Sequence, residues 1–478
     1  MKASSKRTLQ NIGVVLATAV ILALGLVGMY AVLKYTSLGE ERNNVQAERQ
    51  AAMEAEAAED GSGAAEPQGS EQYSGSGLSE DEINSRTSQI VDGMTTKEKV
   101  SQLFFVSPET LMQVNAATDA GSYTAAYYDI YPVGGMIYGK KNLQSKSQVQ
   151  KLLSNMQDYA QDSAAVPLLL GIVEEGGEVA PIANDGNFDV QKVSDAADTA
   201  SDDDARANAT TIGSYLSDLG FNVDIAPMAD VSTSNGSYQQ RTFASNPQDV
   251  SSRVIAQVQG YLSCDVLPCV KYFPGEGAVA GDPENESTQS QATVEDLREK
   301  DIVPFQEAID AGAPMVMVGT TSFVEVSGDD TPACLSTKVV TGELRNTLGY
   351  EGVVLTAPLN TSAIYSDYTS GNAAVQAIQA GCDMIVEPMG FLDAYQAVLS
   401  AVQTGKISEE RLDESVTRIV RMKLRLKGAD EFLGKKGGSE GSSSDQTSAT
   451  ASGTSNTTGA SGTSASSGTT SASAGKQD

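Results

Sequence analysis

The run Pro268-Cys-Val-Lys-Tyr-Phe273 is rich in residues that favour β-strands, and its apolar side chains do not alternate strictly with polar ones. A strand with this pattern is buried on both faces, as in a parallel sheet that is covered by helices. Seven further runs of the same kind occur along the chain: Gln102–Val106, Gly134–Tyr138, Pro167–Val173, Asn222–Pro227, Met315–Gly319, Gly352–Thr356 and Cys382–Val386. The sequence therefore predicts eight buried strands.

Amphipathic stretches lie between or after these runs: Ala205–Leu219, Pro247–Leu262, Glu295–Ala311, Thr337–Leu348 and Glu409–Leu426. Strands that alternate with helices eight times are typical of an α/β fold, the (β/α)8 barrel of TIM type, which we place at residues 78–430. An open doubly wound sheet is the competing arrangement, but its G-x-G-x-x-G fingerprint is absent from the sequence. In a barrel the functional side chains follow the carboxyl ends of the strands.

Both ends of the chain differ from this central part. Ile12–Leu33 holds no charged residue, and as a helix it would reach roughly 33 Å, enough to cross a bilayer core of roughly 30 Å. Lys2, Lys6 and Arg7 precede it, so residues 1–11 are predicted to be cytoplasmic, with a single transmembrane helix in the cell membrane and an extracellular barrel. A cleaved signal peptide is the competing interpretation. Residues 34–77 are expected to form a flexible stalk, and the Ser/Gly/Thr-rich residues 431–478 a disordered tail.

Composition excludes several classes of function. A net charge of −30 argues against a nucleic acid as partner, since phosphates are bound by clustered Lys and Arg. The chain has no histidine, which excludes the Ser-His-Asp triad and zinc sites of the histidine type, and we expect no metal and no cofactor. Cys264 and Cys269 are close enough in sequence to form a disulfide outside the membrane, although free thiols are equally compatible with the sequence.

Six short motifs follow one another along the predicted barrel: Met94-Thr-Thr-Lys-Glu-Lys-Val-Ser-Gln-Leu103, Glu175-Gly-Gly177, Asn222-Val-Asp-Ile-Ala-Pro-Met-Ala-Asp-Val231, Arg241-Thr-Phe243, Lys271-Tyr-Phe-Pro-Gly-Glu-Gly277 and Ala380-Gly-Cys-Asp-Met384. They resemble, in the same order, motifs of the bacterial β-N-acetylglucosaminidases (β-N-acetylhexosaminidases) of glycoside hydrolase family 3. The most specific of them resembles the K-H-F-P-G-H-G signature of that family. The resemblance implies a family 3 barrel.

The resemblance also implies a retaining glycosidase, with an Asp nucleophile after the seventh strand and an Asp-x-His acid/base pair on a loop after the fifth. Both groups are needed, because one attacks the anomeric carbon while the other protonates the leaving oxygen. In this chain Ala357 occupies the nucleophile position, and Glu284 replaces the His of the pair while Asp282 is retained. We therefore predict that none of the family's catalytic set is intact. Glu387 and Glu175 are weak substitutes for the missing carboxylate.

Three residues are candidates for ligand binding. Lys271 and Arg241 match substrate contacts of the family, and Tyr272 replaces a His beside them. The competing interpretation is that Lys271 and Arg241 pair with acidic residues in the barrel mouth, such as Asp224, Asp230 or Glu175.

These observations favour a pseudoenzyme that binds a cell-wall glycan or an envelope protein. The alternative is an active hydrolase of β-N-acetylglucosaminides that uses relocated carboxylates, Glu284 and Glu387. A third interpretation is a structural domain with no ligand.

Overall fold

The computed structural model describes residues 73–430, except 165, 234, 235 and 237. Its strands, numbered in chain order, are β1 Phe104–Val106, β2 Gly135–Ile137, β3 Leu169–Ile172, β4 Val223–Asp224, β5 Leu267–Phe273, β6 Gln289–Ser290, β7 Met315–Val318, β8 Ser322–Phe323, β9 Val353–Thr356 and β10 Ile385–Val386. Eight of them form one parallel sheet in the order β10-β1-β2-β3-β4-β5-β7-β9. Each of these eight overlaps one of the eight strands predicted from the sequence.

The two ends of this sheet meet and give a barrel. Leu355 in β9 forms a parallel bridge with Met384, just before β10. The amide of Thr356 donates to the carbonyl of Met384 at 3.0 Å, and the amide of Leu359 donates to that of Val386 at 3.0 Å. The predicted (β/α)8 barrel is thereby confirmed. The short strands β6 and β8 pair with each other beside the barrel mouth. No apolar run in the sequence predicted them.

Helices surround the barrel. The longer ones are Glu80–Gly93, Thr96–Gln102, Ser122–Ile130, Lys146–Ser163, Asp202–Leu219, Pro247–Leu262, Val303–Asp310, Ser370–Ala380, Phe391–Gln403 and Glu409–Leu424. The shorter α-helical segments are Pro108–Met112, Val294–Asp296, Val324–Ser327 and Ser362–Tyr365. The predicted helix Glu295–Ala311 is interrupted by a π-helical turn at Leu297–Asp301, and a new α-helix starts beside Pro304, which has no amide hydrogen to donate. The predicted helix Thr337–Leu348 is π-helical over Lys338–Thr347.

Two glycines make room for one aromatic ring inside the barrel. A Cβ atom on Gly135 would lie 2.5 Å from Cδ2 of Phe105, and one on Gly171 would lie 2.5 Å from its Cζ. Phe105 is fully buried. Its ring therefore fills the space above two neighbouring strands that carry no side chain at these positions.

The folded part begins earlier than the sequence predicted. Tyr73 donates from its hydroxyl to Asp265 at 3.0 Å, and the amides of Gly75 and Ser76 donate to the carbonyl of Arg425 at 2.8 and 3.2 Å. Residues 73–77, which the prediction assigned to the stalk, thus pack on the barrel, because these backbone donors find an acceptor there.

The membrane segment predicted at residues 12–33, the rest of the stalk and the tail at 431–478 lie outside the described residues. Within the part of the chain that the structure does describe, no helix combines the length and the apolar character that crossing a membrane requires.

All four cysteines are free thiols, so the Cys264–Cys269 disulfide considered above is not formed. Cys269 is buried in β5, whereas the thiol of Cys264 lies over the carbonyl of Thr210 at 3.5 Å. Cys264 lies just after the helix Pro247–Leu262 and Cys269 lies within β5, so the two thiols belong to different parts of the fold.

Candidate functional site

A cavity of about 360 Å³ lies at the carboxyl ends of the barrel strands. Its walls come from the segments that follow β3, β4, β5, β7 and β9. They are formed by Val173, Val179, Tyr238, Arg241, Tyr272, Glu276, Pro283, Glu284, Asn285, Thr320, Ala357, Pro358, Asn360 and Thr361. The strand ends predicted as the place of function therefore do surround one cavity.

Glu175, Arg241 and Lys271 form a mostly buried charged cluster, and Arg241 also lines the cavity. Arg241 donates to Glu175 from Nε at 2.8 Å and from Nη2 at 2.7 Å, and the Lys271 ammonium lies 2.5 Å from the same carboxylate. The exposed fractions of the side chains are 9%, 12% and 0% for Glu175, Arg241 and Lys271. Burial alone would raise the pKa of Glu175, but the charges of Lys271 and Arg241 outweigh it and leave that pKa below its usual value. Both cations thus contact Glu175, one of the three acidic partners that the competing interpretation named.

Glu284 reaches the same cluster from the loop after β5. Its Oε1 accepts a hydrogen bond from Nη1 of Arg241 at 2.9 Å and one from the Tyr272 hydroxyl at 3.1 Å. The loop is tied to the opposite wall, because the Thr320 hydroxyl donates to the carbonyl of Pro283 at 2.7 Å and the Ser362 hydroxyl donates to that of Asn285. Glu284 remains 42% exposed and is thus the accessible member of the cluster.

Asp282 points away from the cavity. Its carboxylate accepts from the Glu284 amide at 3.1 Å and from Nδ2 of Asn285 at 2.7 Å. The side chain is exposed and does not line the cavity. The one acidic residue retained from the Asp-x-His pair therefore shapes its own loop, through the backbone of Glu284 and the side chain of Asn285.

Ala357 lines the cavity at the end of β9. Its amide donates to the carbonyl of Val318 at 2.7 Å, and its methyl group is 5% exposed. Pro358 follows it in the wall. A methyl group and a pyrrolidine ring carry no nucleophile, so this wall of the cavity is apolar where the family resemblance expects a carboxylate.

Glu276 is a carboxyl that the sequence analysis did not single out. It accepts from the Thr321 amide at 2.9 Å, and it is 1% exposed. Burial, together with the nearby charge of Asp230, raises the pKa of Glu276 to about 8. A Cβ on Gly319 would lie 2.2 Å from its Oε1, so glycine is needed there to admit this side chain.

Asp230 braces the same loop from below. It accepts hydrogen bonds from the amides of Tyr272, at 3.2 Å, and of Glu276. Burial raises the pKa of Asp230 to about 7. Asp230 and Glu276 thus hold the turn that follows β5. Both residues belong to motifs that carry the family resemblance, and the place of Asp230 after a predicted strand put it at the barrel mouth.

Glu387 does not line the cavity, which corrects its assignment as a weak substitute for the missing nucleophile. Its carboxylate accepts from the amide of Ser107 and from the Thr110 hydroxyl, the latter at 2.7 Å. The backbone of Glu387 has a φ of 43°, which turns the side chain toward the start of the helix Pro108–Met112. Backbone donors at a helix start need acceptors, and Glu387 supplies one.

Glu174 is likewise held by hydrogen bonds from neighbouring groups. It accepts from the amides of Ile182 and Ala183, both at 2.9 Å, and from the Tyr215 hydroxyl at 2.8 Å. It therefore orders the loop after β3.

Tyr238 is a site residue that the sequence analysis missed. Its ring stacks under the guanidinium of Arg241, 4.9 Å from its carbon, and lies 6.0 Å from the ring of Tyr272. The hydroxyl is buried and has no hydrogen-bond partner among the described residues. The sequence offered one indication of its role, because Tyr238 lies three residues before Arg241 in the same segment.

No group of three or more Cys, Asp or Glu side chains within the described residues is arranged to hold a metal ion. The cavity wall instead carries one guanidinium, two phenols and two carboxyl groups, and the Lys271 ammonium contacts Glu175, the partner of that guanidinium. Such a set can bind and orient hydroxyl, amide or carboxylate groups of a ligand.

Residues 95–422 match the model described as the glycosyl hydrolase family 3 N terminal domain. The chain belongs to glycoside hydrolase family 3. Beta-hexosaminidase A of Pseudoalteromonas piscicida is 30% identical over 327 residues, which are 62% of this chain and 54% of that protein. The beta-hexosaminidase LpqI of Mycobacterium tuberculosis is 27% identical over 343 residues, which are 69% of this chain and 83% of that protein. The resemblance inferred from the motifs is confirmed.

Solved family 3 structures share the fold. A β-N-acetylglucosaminidase from Paenibacillus superposes with a TM-score of 0.65 at 33% identity, covering 71% of this chain and 64% of that one. A β-N-acetylhexosaminidase from Beutenbergia cavernae superposes with a TM-score of 0.62 at 26% identity, covering 69% and 98%. This chain thus spans 54% of the length of the Pseudoalteromonas protein and 64% of the Paenibacillus one.

Proposed function

We propose that this chain is a catalytically inactive member of family 3 that binds a cell-wall glycan at the barrel mouth. The observation that carries the proposal is Ala357, whose methyl group lines the cavity at the position of the family's nucleophile. Retaining hydrolysis needs a carboxylate roughly 5 Å from a second acid group, with the sugar between them. An alanine cannot form the covalent intermediate.

The remaining carboxyl groups do not replace the nucleophile. Glu175 is held by two cations, and its low pKa reflects a carboxylate whose lone pairs are already engaged. Glu387 is bound at the start of the helix Pro108–Met112 and lies outside the cavity wall. Glu284 is accessible and suits the role of an acid, but an acid without a nucleophile cannot complete the retaining reaction.

Binding is supported by what the cavity retains. Arg241 and Lys271 stand at positions where the family resemblance places substrate contacts, and the phenols of Tyr238 and Tyr272 stand beside them. The relatives compared above are β-hexosaminidases and β-N-acetylglucosaminidases. From these names we take the class of ligand, a saccharide of the hexosamine type. An envelope protein is the other partner that we consider for the same face.

A hydrolysis assay tests inactivity. We expect the purified full chain to release no chromophore from a nitrophenyl N-acetyl-β-glucosaminide between pH 4 and 9, with Ala357→Asp assayed beside it to test whether a carboxylate rebuilds the site. Turnover by the wild-type chain that disappears in Glu284→Gln would instead establish the active hydrolase with relocated carboxylates.

A binding assay tests the glycan. Calorimetric titration with a β-linked N-acetylglucosamine disaccharide should detect a complex that Arg241→Gln abolishes. The exposed Arg206, which pairs with Gln259 on the outer helices, provides the matched control Arg206→Gln. Absence of binding to any cell-wall saccharide would leave the structural-domain interpretation.

We further propose that residues 12–33 anchor the chain in the cell membrane with the barrel outside. The support is the length and apolar character of that stretch and the basic residues before it. Protease added to intact cells should then cleave the barrel from the membrane fraction, whereas a chain released to the medium would indicate a cleaved signal peptide.

A further inference from the structure

The charges of the cluster beside the cavity balance one another. Lys271 and Arg241 supply two positive charges, and Glu175 and Glu284 supply two negative ones, all joined by contacts of 2.5 to 2.9 Å. Burial raises the pKa values of the deeper carboxyls Asp230 and Glu276 to about 7 and about 8, so a large part of their population stays protonated near neutral pH.

The two carboxylates of this cluster are not equivalent. Glu175 is 9% exposed and is held by Lys271 and by two nitrogens of Arg241. Glu284 is 42% exposed, lies on a loop outside the strands, and accepts one bond from Arg241 and one from Tyr272. Fewer contacts and greater exposure make Glu284 the group that leaves at the smaller cost.

We propose that Glu284 is a displaceable stand-in for the carboxylate of an acidic saccharide, and that such a saccharide is the ligand of this cavity. The inference rests on the proposed glycan-binding function and adds the charge of the ligand. Arg241 Nη1 and the Tyr272 hydroxyl, which now donate to Glu284, would donate to the ligand's carboxylate in its place.

The balance of charges in the cluster favours an acidic ligand over a neutral one. When Glu284 swings out, Lys271 and Arg241 face Glu175 alone, and one positive charge remains unmatched in a mostly buried setting. A buried charge without a partner is costly, and one carboxylate on the ligand restores the balance. A neutral sugar leaves the charge unmatched and competes poorly with Glu284.

Tyr238 independently points to a polar ligand. Its hydroxyl is buried in the cavity wall and has no hydrogen-bond partner among the described residues. An unmade hydrogen bond at a buried hydroxyl costs free energy, so a ligand hydroxyl or carboxylate that pairs with it gains affinity. The cavity volume of about 360 Å³ falls in the range of small-molecule sites, about 300–1,000 Å³.

The test compares three methyl glycosides that differ at one position. Methyl β-glucuronide carries a carboxylate where methyl β-glucoside carries a hydroxymethyl group. The methyl ester of the glucuronide keeps the carbonyl but removes the charge. Calorimetry on the purified full chain should show the glucuronide binding at least about tenfold more tightly than the glucoside or the ester. Arg241→Gln should abolish the difference.

The decisive variant is Glu284→Gln, which removes the competing charge and should tighten glucuronide binding about three- to tenfold. Glu286→Gln is the matched control, since Glu286 is an exposed carboxylate of the same loop that bonds to the Asp282 amide and lies outside the cavity wall. It should leave the affinity unchanged.

The outcomes separate this inference from the function proposed above. Equal binding of glucuronide and glucoside, or no gain in Glu284→Gln, overturns the charge preference while glycan binding stands. Hydrolysis of a nitrophenyl glycoside overturns inactivity but not the charge preference. If neither glycosides nor N-acetylglucosamine saccharides bind, both proposals are wrong.

Discussion

Arg241 clamps Glu175 through two parallel hydrogen bonds, Nε to Oε2 at 2.8 Å and Nη2 to Oε1 at 2.7 Å. This contact joins the segment after β4 to the segment after β3, across the mouth of the barrel. Lys271 adds a third positive contact from β5. Three neighbouring strands are thus tied together at their carboxyl ends by one carboxylate.

Glu175→Gln should therefore lower the free energy of unfolding. Removing one partner of a buried ion pair leaves the cations uncompensated and costs about 3–5 kcal/mol. Chemical denaturation at pH 7 measures this loss. Glu178→Gln, an exposed change in the same loop, should stay within about 0.5 kcal/mol of wild type. A loss below about 1 kcal/mol for Glu175→Gln would show that the clamp contributes little.

The carboxylate of Glu175 also limits the stability of the fold at low pH. The pKa of Glu175 lies below its usual value, so its contribution is present above the ordinary glutamate range and is lost as pH falls through the lowered value. Denaturation curves of wild type and Glu175→Gln should therefore converge as the medium becomes strongly acidic. Curves that stay equally far apart would contradict the assignment.

Glu276 should make the protein less stable as pH rises. Its pKa is raised from 4.5 to about 8, so the folded state binds more protons than the unfolded state between these values, and stability is lost as pH rises through about 8. In Glu276→Gln the amide oxygen still accepts from the Thr321 amide, but nothing titrates. The variant should lose less stability than wild type between pH 5 and 9. Parallel profiles would contradict this prediction.

The fold was predictable because its signal is spread over many residues. Eight apolar runs predicted eight strands. A strand that is buried on both faces needs apolar side chains on both, whichever strands it pairs with. The limits of β4 and β10 were not predictable. Asp383, for example, accepts from the Val354 amide through its side chain, so β10 begins at Ile385, three residues after the start of the predicted run Cys382–Val386.

The site was predictable in its place but only partly in its contacts. Strand ends located Arg241 and Ala357 at one cavity, and Lys271 on the carboxylate that Arg241 also contacts. The directions of Glu387 and Asp282 were not predictable, since each side chain satisfies local backbone amides that a linear sequence does not reveal. Tyr238 was missed because its value lies in a stacking contact with Arg241.

Gly171→Ala tests the packing of the barrel interior. The added methyl would meet the ring of Phe105, fully buried in β1, and overpacking of this kind costs about 1–3 kcal/mol. In a Phe105→Leu background the smaller side chain leaves room, so the same change should cost markedly less. Thermal or chemical denaturation of the four proteins gives the coupling. Gly186→Ala, where nothing lies within 4 Å, is the control. Additive effects of Gly171→Ala and Phe105→Leu would show that the added methyl group does not press on the Phe105 ring.

Lys423 should oppose folding at neutral and acid pH. It is fully buried on the helix Glu409–Leu424 and donates to Oε1 of Gln102 at 2.7 Å. Burial lowers the pKa of Lys423 to about 7, from a usual value of 10.5. Below about pH 7 both states carry the charge, and the full cost of burying it is present. Between about pH 7 and pH 10.5 the unfolded state binds more protons than the folded state, so the free energy of unfolding rises with pH.

Lys423→Met removes this titration. We expect the free energy of unfolding of wild type to rise relative to that of Lys423→Met between pH 7 and 10, with a slope of at most about 1.4 kcal/mol per pH unit. The slope is the informative quantity, because the loss of the bond to Gln102 shifts both ends of the profile alike. Lys151→Met, an exposed lysine on the helix Lys146–Ser163, should give a profile parallel to wild type. A parallel profile for Lys423→Met as well would mean that the buried amine keeps its proton throughout.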